Sequence, residues 1–389
     1  MRTALELVFW LAVLAIVWTQ VGYAAALALV ARALHVRDRA ADEAGEPAEP
    51  ELPSLSLIVA AHDEGSVIAA KVANALALDY PRERLQLIVA CDGCTDDTAA
   101  IARAAGAELV LELPRGGKIR AQDAAVERAR GEIVAFSDAN ALWEPGAARA
   151  LVGAFREERV GYACGQVRFV AAGAGGPFAA NQEGVYWRYE LAVRALESRL
   201  SSITAGNGAI YATRRETYMV VDPIMGHDLS LPFNMVKRGL RAVYVPGARA
   251  SEKMVPSISG EFARKRRMMS HTWPILLRGG MLSPRGYPPG YALMIISHRL
   301  LRYCTPALHA LALAVNIALL ATGAGPLYAL TLALQLALLL AALLGGAVRA
   351  RPLLIARYYV LTTASPAAGL WDWLRHGTAA SWEAAEGTR

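Results

Sequence analysis

Val89-Ala-Cys-Asp-Gly-Cys-Thr-Asp-Asp-Thr98 and, farther on, Phe136-Ser-Asp-Ala-Asn140 decide the fold. Each is an apolar run of strand type that stops abruptly at carboxylates. In an open α/β sheet, ligands bind outside the carboxyl ends of the strands. Two acidic clusters at such ends predict a site for a divalent cation and a phosphorylated ligand. Working outward, residues 55–60, 85–90, 108–111 and 133–137 read as strands. Residues 66–78, 96–105 and 118–130 read as the helices between them, with Asp and Thr capping the second. This alternation predicts a doubly wound, mostly parallel, Rossmann-like α/β sheet.

The flanks are of another kind. Of 389 residues, 55% are hydrophobic, above the roughly 45–50% of a soluble domain. Residues 8–34 are almost unbroken apolar and exceed the about 20 needed to cross a bilayer. Arg32, Arg37 and Arg39 follow and put that end on the cytoplasmic side. Residues 305–321 and 327–344 read as two more spans, split by Gly323-Ala-Gly-Pro326. Residues 264–277 and 291–303 suit helices lying in the membrane interface. Residues 353–371 carry Arg357, Pro366 and Gly369; they read as a re-entrant or interfacial segment, or as a third C-terminal span.

The expected division is a transmembrane helix at 1–39, a linker at 40–53 and a catalytic domain at 54–260. Interfacial helices at 261–304, a transmembrane region at 305–373 and a cytoplasmic tail at 374–389 complete it. The net charge of +6 comes from Arg and Lys clustered beside apolar spans, which argues against nucleic acid as partner and for a lipid bilayer. Four cysteines give no disulfide framework. Cys91 and Cys94 form a C-x-x-C with no second ligand pair at zinc spacing, and read as thiols in a reducing cytosol.

Several side chains have a chemical reading and a plain one. Asp92, beside Gly93, accepts a uracil N–H or caps a helix; Asp63-Glu64 ends the preceding strand in the same way. Arg115-Gly-Gly-Lys118 is a diphosphate cradle at a helix N-terminus, or ends in a solvated lysine. Asp138 and Asn140 chelate one octahedral cation, or only shape a strand-end turn. Asp228 caps a helix or serves as a general base, with His227 tuning it or sitting on the surface.

Together these motifs resemble the membrane-integrated family 2 glycosyltransferases, the cellulose-, chitin-, hyaluronan- and poly-N-acetylglucosamine-synthase-like enzymes. The resemblance runs from residue 55 to about residue 273. It implies a GT-A fold, a UDP-sugar donor, Mg2+ or Mn2+, and inversion at the anomeric carbon. It assigns Glu64, Asp92, Lys118, Asp138 and Arg267 to the donor and Asp138 with Asn140 to the metal. Asp228 becomes the catalytic base. Gly206-Asn-Gly-Ala-Ile-Tyr211, with Asn207, resembles the acceptor-side segment, and Arg264-Lys-Arg-Arg-Met268 stands where processive members carry Q-x-x-R-W. The ending Trp382-Glu-Ala-Ala-Glu-Gly-Thr-Arg389 is similar to a C-terminal signature of hyaluronan-synthase-like relatives.

The departures are Asn140 for a second metal carboxylate, His227 for an acid, Arg264 for Gln and Met268 for Trp. The missing Trp would have been an aromatic platform for an acceptor sugar; Trp273, about one helical turn and a half later, compensates only if the helix is rotated. The acceptor implied is a growing polysaccharide or a lipid-linked molecule, with a homo-oligomer or export partner to widen a channel. Single-sugar transfer to a lipid is the alternative, and a non-catalytic nucleotide-binding subunit is a third reading.

Overall fold

The computed structural model describes residues 1–35, 52–170, 177–253 and 258–380, with the backbone alone for 177–186. Most of the expected linker, the tail beyond residue 380 and the Trp382–Arg389 signature lie outside the described residues.

Strands β1 (Leu55–Ala61), β2 (Leu85–Asp92), β3 (Leu109–Leu113) and β4 (Ile133–Asp138) form a parallel array in the order β3-β2-β1-β4. Every residue of β2 is buried. Helices cover both faces, so its side chains need not alternate between apolar and polar. Leu57, Val59, Leu87 and Val89 pack on one face with Ile68 and Val72 of α2 (Ile68–Leu76). Ile58, Ile88, Val134 and Phe136 pack on the other.

The second half of the sheet adds the antiparallel part of a mostly parallel array. Strands β5 (Leu142–Trp143), β6 (Val160–Val170), β7 (Tyr211–Arg214) and β8 (Arg241–Lys253) extend it in the order β4-β7-β6-β8-β5. β7 runs antiparallel to both β4 and β6, while β6 and β8 are parallel. Helices α3 (Thr98–Ala104), α4 (Lys118–Glu127), α5 (Ala147–Gly153), α6 (Pro177–Leu200) and α7 (His227–Lys237) complete this α/β unit. The fold is GT-A-like, with a mixed, mostly parallel sheet.

The apolar flanks pack beside it. Helix α1 (Arg2–Ala33) is long and apolar enough to cross a membrane. Tyr23 and Leu27 on its inner face join a core with Val193, Phe233 and Trp273. Helix α8 (Ile258–Leu277) follows β8. Helices α9 (Pro289–Tyr303) and α10 (Thr305–Ala321) are bent against each other by 62°, and α11 (Pro326–Leu344) is a second apolar helix of spanning length. α10 meets the length and apolarity of a span only jointly with α9. Pro306, in the first turn of α10, lacks the N–H that would have continued α9.

Residues 353–371 belong to one helix, α12 (Arg351–His376), docked along α8. The Arg266 Nε donates to Asp372 at 2.6 Å, and a second guanidinium nitrogen reaches the other carboxylate oxygen. At Gly369 the helices approach so closely that a Cβ would lie 2.5 Å from that of Met269.

Candidate active site

Leaving β1, the chain first builds β2 and β3 on one side, then returns to place β4 on the other. The carboxyl ends of β1 and β4 thereby border a crevice at the point where strand order reverses, the usual ligand position in such sheets. Asp138 closes β4, and the parallel register sets it beside Ala60.

Asp92 closes β2 and is only 5% exposed. Its carboxylate accepts the N–H groups of Gly116 at 2.6 Å and Gly117 at 2.9 Å. Gly93 has φ 60, and a Cβ there would lie 2.9 Å from the Arg115 backbone. Asp92 therefore fastens the glycine turn to the sheet. Its visible work is positional, and the turn before α3 is held by Asp96, which accepts the Thr98 N–H at 3.0 Å. Glu64 lies beside the same strand ends, its N–H donating to the Thr98 hydroxyl at 2.8 Å.

The fastened turn delivers Lys118 as the first residue of α4. Its Nζ forms an ion pair with Asp138 and lies 3.5 Å from the Gly208 carbonyl. It is not the solvated surface lysine of the plain reading. The Ala141 N–H donates to the Asp138 carbonyl at 3.2 Å, closing a turn that holds Asn140. A carboxylate and an amide oxygen are hard donors that fit Mg2+ or Mn2+. Gly208 roofs them: a Cβ there would stand 3.2 Å from Lys118 Nζ and 3.8 Å from an Asp138 oxygen.

Asn207 holds its own loop. Its amide donates to the Gly165 carbonyl at 2.7 Å and accepts from Ala209 and Ile210 at 3.1 and 2.9 Å. The same loop is tied to α7, because the Gly206 N–H donates to the Asp228 carbonyl at 2.7 Å. The Asp228 side chain is half-buried and accepts no hydrogen bond among the described residues. His227 is not on the surface. It is buried between the Tyr211 hydroxyl at 2.9 Å and the Tyr218 hydroxyl at 3.3 Å. Burial, helped by the Lys118 charge, pushes it down to about 3 and keeps it neutral.

On α8, Arg264 forks onto buried Glu261 at 2.8 Å through two nitrogens. His271 of α8 is held by the Ile224 carbonyl at 2.9 Å, and burial pushes its pKa down. Trp273 is corrected: it is 7% exposed and its Nε1 donates to the Pro366 carbonyl at 2.8 Å. The helix turns this ring toward α12, so it offers no stacking face to an acceptor.

The sequence reading missed two groups. Lys71 of α2 is 0% exposed; its Nζ donates to the Ala141 carbonyl at 2.6 Å and lies 5.3 Å from the centre of the Trp143 ring. Burial pushes it down to about 7 against the attraction of Asp138 and Glu252. A signal existed: Lys71 stands in the buried stripe Ile68, Val72, Ala75 of its own helix. Glu252, at the end of β8, is pushed up to about 7 by burial and by Asp138. It lies in a strand that the sequence reading did not identify.

Residues 53–270 match the model of the family described as glycosyltransferase like family 2. A probable glycosyltransferase of Bacillus subtilis, YdaM, is 29% identical over 131 residues, 31% of each chain. A beta-monoglucosyldiacylglycerol synthase of Nostoc sp. is 33% identical over 134 residues, 32% of this chain and 27% of the relative. The matched segments thus span under a third of these curated relatives. The mannosyltransferase PcManGT from Pyrobaculum calidifontis, solved with GDP-Man and Mn2+, shares the fold. Its TM-score is 0.65 at 23% identity, over 90% of this chain and 98% of that one. With more than half its length matched by the family model, the chain belongs to the family 2 glycosyltransferases.

Proposed function

We propose that this glycosyltransferase moves one sugar from a nucleoside-diphosphate sugar, UDP-linked as the resemblance of its motifs implies, to a hydroxyl of a lipid-linked acceptor at the cytoplasmic membrane face, with inversion. The observation that carries the reading is the meeting of Lys118, the Asp138–Asn140 turn and Asp228 around one loop, residues 206–211. Asp138 and Asn140 would hold Mg2+ or Mn2+, with Glu252 close by. A bound cation supplies neutralisation of the leaving diphosphate. Lys118 adds a second positive charge to that leaving group, and Asp92 keeps the Lys118 turn in place. Glu64 borders the nucleoside end, and Arg267 the Asp228 side.

Asp228 takes the acceptor hydroxyl proton as the oxygen bonds to the anomeric carbon. The bond from that carbon to the diphosphate breaks, and its electron pair leaves with the nucleotide. A single displacement inverts the centre.

Single addition is favoured over processive polymerisation by the α8 surface, where Met268 replaces an aromatic and Trp273 is turned away. The lipid acceptor is supported by the apolar helices beside the site and by the glycolipid product named for the Nostoc relative. The test is a scan of nucleoside-diphosphate sugars with the full chain in lipid nanodiscs. Mass spectrometry should find one added sugar per lipid. A ladder of products would overturn single addition, and transfer to soluble acceptors alone would overturn the lipid acceptor.

A further inference from the structure

The parallel register of β1 and β2 pairs Ala61 with Cys91. The residues just beyond each strand are therefore neighbours, although about thirty positions separate them. His62, Asp63 and Cys94 each offer a metal-ligating atom, and these atoms all lie within 4.8 Å of one another. At bond lengths of about 2.0–2.3 Å, tetrahedral ligand atoms stand about 3.3–3.8 Å apart, so closure asks for shifts of about 1 Å.

The groups are aimed for this task. His62 Nδ1 lies 2.8 Å from the Asp92 carbonyl. A carbonyl only accepts, so Nδ1 carries the proton and Nε2 the lone pair, the arrangement common for a metal-bound imidazole. That Nε2 is 3.5 Å from Asp63 Oδ2. The other Asp63 oxygen accepts the Thr95 N–H at 2.7 Å, which fixes the carboxylate. Asp63 adopts φ 51, a left-handed conformation uncommon outside glycine and of the kind held at functional sites. Cys94 Sγ lies 3.5 Å from the Ala61 carbonyl.

We propose that His62, Asp63 and Cys94, with the Cys91 thiol adjacent, form a second cation site that selects a borderline-soft divalent ion of the zinc type. The Asp138–Asn140 turn offers only oxygen and suits a hard ion; this cluster offers nitrogen, sulfur and oxygen together. A cation here would clamp the end of β1 to the loop after β2. Through His62 it would stiffen Asp92 and the turn that carries Lys118.

Co2+ titration of the full chain, kept reduced with a phosphine, tests this spectroscopically and without turnover. A sulfur-to-cobalt charge-transfer band with tetrahedral d–d bands should saturate at one equivalent. It should survive Asp138→Asn, disappear on adding Zn2+ and persist in excess Mg2+. Cys94→Ser should abolish it. His62→Ala, a change at a half-buried side chain that leaves the sulfurs in place, should weaken Co2+ binding by more than the 10–100-fold typical of losing a ligand's hydrogen-bond partner. Absence of the band in the native chain would overturn the proposal. So would a band unchanged in both His62→Ala and Asp63→Asn, or one lost in Asp138→Asn.

Discussion

His227 and Asp228 open the same helix and meet different surroundings. The imidazole is enclosed by two tyrosine hydroxyls, while the carboxylate is half-buried. Because burial lowers the His227 pKa to about 3 from an unfolded value near 6.5, the unfolded chain takes up the proton first as pH falls. Stability is present above about pH 6.5, is lost as pH falls toward 3, and changes no further below. At pH 5 the loss from this group is about 2 kcal/mol. Thermal unfolding of the native chain at pH 7.5 and 5 should show it, and His227→Gln should remove most of that difference. At Asp138, replacement by Ala leaves Asn140 alone on the cation. The divalent concentration for half-maximal turnover should rise at least about tenfold, and an unchanged metal titration would remove Asp138 from that role.

At the scale of elements, the α8–α12 contact is set by Gly369. Even one methyl there would meet the Met269 Cβ at 2.5 Å and the Arg266 carbonyl at 2.7 Å. Gly369→Ala should therefore cost about 1–3 kcal/mol, read as a lower unfolding midpoint. A midpoint equal to that of the native chain would mean that α12 is free to move away. How much of these elements could be read from sequence follows from what stabilises them. The strands 55–60, 85–90 and 133–137 were legible because their burial on both faces leaves continuous apolar runs. β6 and β8 were not, since both are interrupted by glycine, arginine or proline and are specified by pairing with distant strands. The motif residues of the site were legible because each sits at the end of a readable strand or helix. Glu252 was hidden with β8, and the orientation of Trp273 depends on a helix nearly a hundred residues away. The C-x-x-C lacked its partners in the linear sequence, because only the β1–β2 register brings His62 and Asp63 to it.

On the scale of the whole molecule, a crevice of charged groups stands beside helices whose leucines remain exposed. Leu7, Leu11 and Leu14 of α1 and Leu330, Leu334 and Leu340 of α11 face outward. Apolar surface of that extent calls for lipid. The chain should stay with membranes through washes in high salt and alkaline carbonate and leave only with detergent; release by salt alone would mean that its helices do not insert. The central claim is that Asp228 supplies the base in a crevice whose donor contacts lie elsewhere. The most direct measurement compares the native chain with Asp228→Asn in nanodiscs, following nucleotide release and, by calorimetry, nucleotide binding. Turnover should fall by about 10²–10⁴-fold with binding unchanged. Full turnover in Asp228→Asn would contradict the account.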